Sequence, residues 1–125
     1  MSDFLQNFGE DLKVNIPGFI AVSVAEIKSG ISYYSTTVVE DFDPELASAF
    51  NLEVVKAKMN AISVLGLKNQ AIDSIMITLS SQIHIIDISD NQEYFIYLAV
   101  DASKANLGMT KAFLNRYKKE IAEKL

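Results

Sequence analysis

His84 is the single histidine of a 125-residue chain that contains no cysteine. As the general base of a nucleophilic triad it would need a nucleophile and an orienting carboxylate within hydrogen-bond reach. Ser80, Ser81 and Asp87 are close in sequence, but no motif gathers them around the ring. His84 is therefore read as a sheet-face or turn-proximal histidine with a satisfied hydrogen bond. Glu40, Asp41, Asp43 and Glu45 form the other conspicuous group. A calcium loop of the EF-hand type wants glycine at its sixth position and glutamate at its twelfth. Counted from Asp41, those places hold Leu46 and Leu52. The carboxylates are better suited to favour a helix N-terminus, and they can repel or steer a partner. Neither G-x-x-x-x-G-K-[ST] nor G-x-G-x-x-G occurs, so the chain has no phosphate cradle of its own. Without cysteine there are no disulfides, thiolate metal sites or cysteine nucleophiles. No cofactor, metal ligand set or catalytic residue is expected.

The elements around these residues follow from periodicity and turn chemistry. Phe4, Leu5, Phe8 and Leu12 recur at helical spacing from Asp3 to about Val14, and Pro17-Gly18 ends that helix. Phe19 to Ala25 reads as a strand apolar on both faces. Lys28-Ser29-Gly30 forms a hairpin loop with Gly30 left-handed, and Ile31 to Val38 returns as a more polar, edge-like strand. Asp43 caps a long helix, and Pro44 takes its first position. Three short strands follow: Asp73–Leu79, Ile83–Ile88 and Glu93–Val100, with a bulge expected where Ile85-Ile86 breaks the alternation. A last helix spans about Lys104 to Leu125, with Ser103 as its cap and Leu107, Leu114, Tyr117, Ile121 and Leu125 on its apolar side. Gly108 is expected to pack closely against a neighbouring strand. Short turns force antiparallel pairing, and a sheet with two apolar faces needs helices on both. The middle helix most simply covers one face, and the terminal helices cover the other.

The middle helix, Asp43 to about Gly66, is apolar on two opposite sides at about 100° per residue. Leu46, Phe50, Val54, Ala57, Ala61 and Leu65 fall on one side, and Leu52, Val55, Met59 and Ile62 on the other. A helix lying on one sheet needs one stripe. The Leu46 side is assigned to the core, and the Leu52 side to a second protein surface.

Bulk properties limit the partners. The formal net charge is −5, which disfavours nucleic acid. Lys111, Arg116, Lys118, Lys119 and Lys124 of the last helix fit the macrodipole preference for cations near a C-terminus. Met1-Ser2-Asp3 carries no basic n-region, Ser2 is not a myristoylation glycine, and no run approaches the roughly 20 apolar residues of a membrane span. The expectation is one cytoplasmic domain over residues 1–125, without direct membrane insertion.

The ordered combination resembles the roadblock/LC7 family from about Phe4 to Leu125. Its carriers are Pro17-Gly18-Phe19-Ile20-Ala21, Gly30 in the first hairpin, and the alternating strand from Asp73. The strongest local piece is Tyr97-Leu98-Ala99-Val100-Asp101 leading into Ala105-Asn106-Leu107-Gly108. The resemblance implies an α/β (α+β) profilin-like three-layer sandwich with a five-stranded antiparallel sheet in order 2-1-5-4-3. It implies homodimers, or heterodimers with a paralogous roadblock subunit, that pair third strands edge to edge and middle helices side by side. It also implies a platform for a small Ras-like GTPase. The residues expected at the dimer and partner surface are Ser48, Leu52, Val55, Met59, Ile62, Asp73, Ile75 and Ile77. The chain departs from a GTPase activator that supplies an arginine finger. Its one arginine, Arg116, lies on the last helix, on the face of the sheet away from the platform. The function expected is a non-enzymatic GTPase regulator or scaffold. The alternatives are a structural adaptor in a motor or envelope-associated complex, and, by fold analogy alone, a small-ligand sensor.

Overall fold

The structure, a computed structural model, describes residues 2–125. Its elements are α1 (Ser2–Asn15), β1 (Phe19–Glu26), β2 (Ser32–Thr37), α2 (Pro44–Val64), β3 (Ser74–Thr78), β4 (Gln82–Ile88), β5 (Tyr94–Asp101) and α3 (Leu107–Lys124). The five strands form one antiparallel sheet in the order β2-β1-β5-β4-β3.

Sequence explains which strands are central. β1 and β5 are apolar on both faces, and all but the last residue of each is buried. They pair with each other along their length, for example Val22 with Leu98 and Val24 with Ile96. The sheet then has two dry faces. Leu5, Phe8 and Leu12 of α1 and Leu114 and Ile121 of α3 pack with Val22, Val24, Ile85, Ile96 and Leu98 on one face. Leu52 and Val55 of α2 pack with Ala21, Ala25, Ile86, Ile88, Phe95, Tyr97 and Ala99 on the other. This is the three-layer sandwich that the resemblance implies.

Local chemistry fixes the joints. Gly30 turns the first hairpin at φ +76°, as its type predicts. Gly9 has a different reason: a Cβ there would overlap the Tyr34 hydroxyl, so its bare backbone lets β2 tuck under α1. Asp43 Oδ1 accepts from the Glu45 and Leu46 amides at 3.1 Å each, capping α2 as expected.

Four expectations are corrected. Ile85-Ile86 is not a bulge: pairing with β3 and β5 runs through it without a shift. The two isoleucines serve opposite faces of a strand covered on both sides. The irregularities fall in β1 instead, at Val24/Ala25 and Phe19/Ala21. Asn106, not Ser103, caps α3, its Oδ1 accepting from Met109 N at 3.1 Å, because Ser103 is drawn back onto the Asp101 carboxylate. Leu107 is exposed, since it sits in the first turn of α3, short of the core. Gly108 meets no strand: an added Cβ would find only Asn106 Oδ1, at 3.7 Å.

Candidate functional site

α2 does carry two apolar stripes, but their assignment is reversed. Ser48, Leu52 and Val55 are 3%, 9% and 0% exposed, and Met59 and Ile62 pack against the same cluster. These five residues, expected at a partner surface, hold α2 to its own sheet. Leu46, Phe50, Val54 and Leu65, expected in the core, are 56%, 69%, 39% and 67% exposed. The physical reason lies in the sheet. Ile86, Ile88, Phe95 and Tyr97 already fill much of the layer, so α2 needs little bulk of its own, and Ser48 and Asn51 are buried there. The bulkier stripe is therefore free to face outward. Ala57 and Ala61 continue it with small side chains.

Beside this stripe the sheet ends in an open edge. Among the described residues β3 pairs only with β4. The Leu79 amide donates to Gln82 O, and the Ile88 amide donates to Asp73 O. In an antiparallel ladder bonded residues alternate. Asp73, Ile75, Ile77 and Leu79 therefore turn their backbone groups to β4, while Ser74, Met76 and Thr78 turn theirs outward. Ile75 and Ile77 are half-buried on the α2 side, at the edge where the sequence places them. Met76 lies on the opposite face, 55% exposed. Edge strands are usually blunted by charge, proline or cover. Ser-Ile-Met-Ile-Thr has neither charge nor proline.

Asp73, also expected at the partner surface, stands just before β3 with its side chain 68% exposed. Its carboxylate is bound within the chain by Lys118 and, at 3.0 Å, by Lys111. Those bonds, that from Lys118 foremost, hold it below the ordinary carboxylate range. The same two ammonium groups reach the buried Asp87 at 3.3 Å each. Burial alone would lower the Lys118 pKa, but the two aspartates outweigh it and keep the group charged. Sequence gave no warning of a buried lysine. This network clamps the start of β3 to α3.

His84 is on the α2 face, bonded through Nε2 to Gln82 Oε1 at 2.8 Å and through Nδ1 to the Tyr97 hydroxyl at 3.3 Å. Phe42 stands edge-on to its ring and stacks on Tyr97. Burial lowers the histidine pKa and raises that of the tyrosine hydroxyl. Asp87, three residues along the strand, points to the other face, so no triad assembles. Arg116 lies 3.5 Å from Asp11 of α1 and stacks on Phe113, on the sheet face away from α2.

No family model matches the sequence, and no curated protein matches it. Solved structures do. A roadblock/LC7 domain from Streptomyces avermitilis superposes with a TM-score of 0.78 at 9% identity, covering 93% of this chain and 92% of its own. The gliding protein MglB from Thermus thermophilus gives 0.76 at 14%, covering 94% and 85%. An MglB with tetrameric arrangement gives 0.78 at 14%, covering 97% and 87%. At these identities the likeness establishes the fold.

Proposed function

We propose that this chain, which has the roadblock/LC7 fold, is a non-enzymatic module that pairs with a second copy or a paralogous subunit and presents its paired α2 helices to a small Ras-like GTPase. One observation carries the reading: the bulkier apolar stripe of α2 faces away from its own sheet, next to a strand edge with outward amides at Ser74, Met76 and Thr78. Covering what is still exposed of Leu46, Phe50 and Val54, at about 25 cal/mol per Å² of apolar surface, offsets part of the cost of association, about 4–15 kcal/mol. The structural neighbours include a gliding protein and a tetrameric arrangement, which suits self-association. Arg116 is committed to the far face, so any stimulation of hydrolysis would act by ordering the GTPase's own residues.

Light scattering tests the assembly. Wild type is expected to be dimeric at roughly 50 µM, where a stable symmetric interface is populated. Met76→Pro removes one outward amide per subunit and should weaken the dimer about ten- to hundredfold. A wild type that stays monomeric overturns the reading. For the partner, Phe50→Glu is compared with wild type in affinity capture from native lysate with a GTP analogue or GDP. Nucleotide-dependent enrichment of a P-loop GTPase, lost in the variant, is the expected result. A stable complex without any GTPase would favour the adaptor function instead.

A further inference from the structure

On the face opposite α2, helices cover four strands of the five. α1 lies over β1 and β2, and α3 lies over β4 and β5. Among the described residues no helix lies over β3 there. Met76 is 55% exposed on it, and Leu107 and Met109, in the first turn of α3, are 40% and 47% exposed. Between them lies an apolar groove of about 310 Å³, lined by Ser74, Met76, Ile85, Leu107, Gly108 and Lys111. Gly108 is what keeps its wall low, because no side chain stands there.

The outward groups Ser74, Met76 and Thr78 are centred on Met76. Two copies joined symmetrically through this edge therefore set Met76 against Met76 and merge their grooves. Strands lie about 4.8 Å apart, so helices seated over β4 and β5 of each copy have axes about 19 Å apart. Packed helices sit about 8–10 Å axis to axis. One further helix between the two α3 helices would lie about 9.5 Å from each, at ordinary packing distance. A fully extended strand would leave most of that space unfilled, and two helices side by side would not fit.

We propose that the bare α3-side face of β3, joined to that of a second copy, is a slot that takes a single apolar-faced α-helix from a partner protein, one per dimer. This rests on the β3 pairing proposed above. The slot lies on the opposite face from the α2 platform, so both can be occupied together. A lone helix across a two-fold axis also breaks the symmetry of the dimer, which makes its two platforms inequivalent.

The probe is a displayed library of helical 18-residue peptides selected against the full chain, with the winners measured by titration calorimetry and the assembly by sedimentation. On a dimer, the slot predicts winners apolar at i, i+3, i+4 and i+7 that bind one per dimer. Leu107→Lys or Gly108→Trp should weaken them at least about tenfold, and Val14→Lys, exposed on α1 away from both α2 and β3, should leave them unchanged. No enrichment on a sedimenting dimer, two peptides per dimer, or equal affinity in both groove variants overturns the slot while leaving the pairing intact. A monomeric wild type overturns the pairing first, and the shared slot with it.

Discussion

The two sides of α2 have much the same apolar content and opposite fates. Val55 is wholly buried and Val54, the next residue, is 39% exposed; Leu52 is 9% exposed and Phe50 69%. Hydrophobicity does not separate the two sets, since the outer stripe holds the larger residue. What separates them is the surface each one meets. The inner side meets a sheet face already crowded by Phe95, Tyr97, Ile86 and Ile88 and tolerates Ser48 and Asn51. Among the described residues the outer side is left largely uncovered, with Leu46, Phe50 and Leu65 all more than half exposed. The lesson is that the apolar side of a helix with the greater bulk is not always its core side.

The largest expected effect comes from placing the same charge on each side. Val55→Asp buries a carboxylate with no partner and should cost more than about 4 kcal/mol, enough to unfold a marginally stable domain. Val54→Asp should leave the monomer within about 0.5 kcal/mol of wild type while disrupting assembly. Urea unfolding followed by circular dichroism, with light scattering on the same samples, reads both. If Val54→Asp unfolds the chain and Val55→Asp does not, the orientation of α2 is wrong.

Much of this was legible in the sequence, and the rest was hidden for identifiable reasons. Strand order and layers follow from turn lengths, from both faces of Phe19–Ala25 being apolar, and from the roadblock/LC7 likeness around Tyr97–Gly108. The cap at Asp43 and the turn at Gly30 are local chemistry and were readable as such. The roll of α2 was not, because periodicity gives the angle between two stripes and says nothing of which one meets the sheet. Asp73 and Lys118 are 45 residues apart in sequence, so only the folded chain brings their charges together and spends Asp73 on a clamp. Ile75 and Ile77 alternate with Met76, and periodicity does not say which of the two faces of β3 a helix covers; the fold puts the isoleucines under α2 and leaves Met76 55% exposed.

Alanine substitutions separate the two sides more finely. Leu52→Ala removes a buried side chain and should cost about 2–4 kcal/mol. Phe50→Ala, though it deletes more carbon, should change the stability of the monomer by less than about 0.5 kcal/mol. Denaturant midpoints taken well below the dimer dissociation constant keep assembly out of the comparison. Equal losses in the two variants would mean that Phe50 is covered by its own chain.

The smallest effect tests whether the layer beneath the inner side is dry. Burial lowers the His84 pKa below the free value of 6.5. The folded state therefore holds neutral histidine, and the unfolded chain takes up a proton first as the pH falls. Stability from this group is fully present above about pH 6.5 and declines below it, until the folded pKa is passed. Asp73 is also lowered, from 3.8, so its contribution is lost only at more acid pH and does not overlap this window. Urea midpoints measured from pH 8 down to about pH 5 should be level and then fall in wild type, and the fall should be reduced in His84→Gln. Identical profiles would show that water reaches the ring beside Phe42 and Tyr97, and that this part of the sheet face is not sealed.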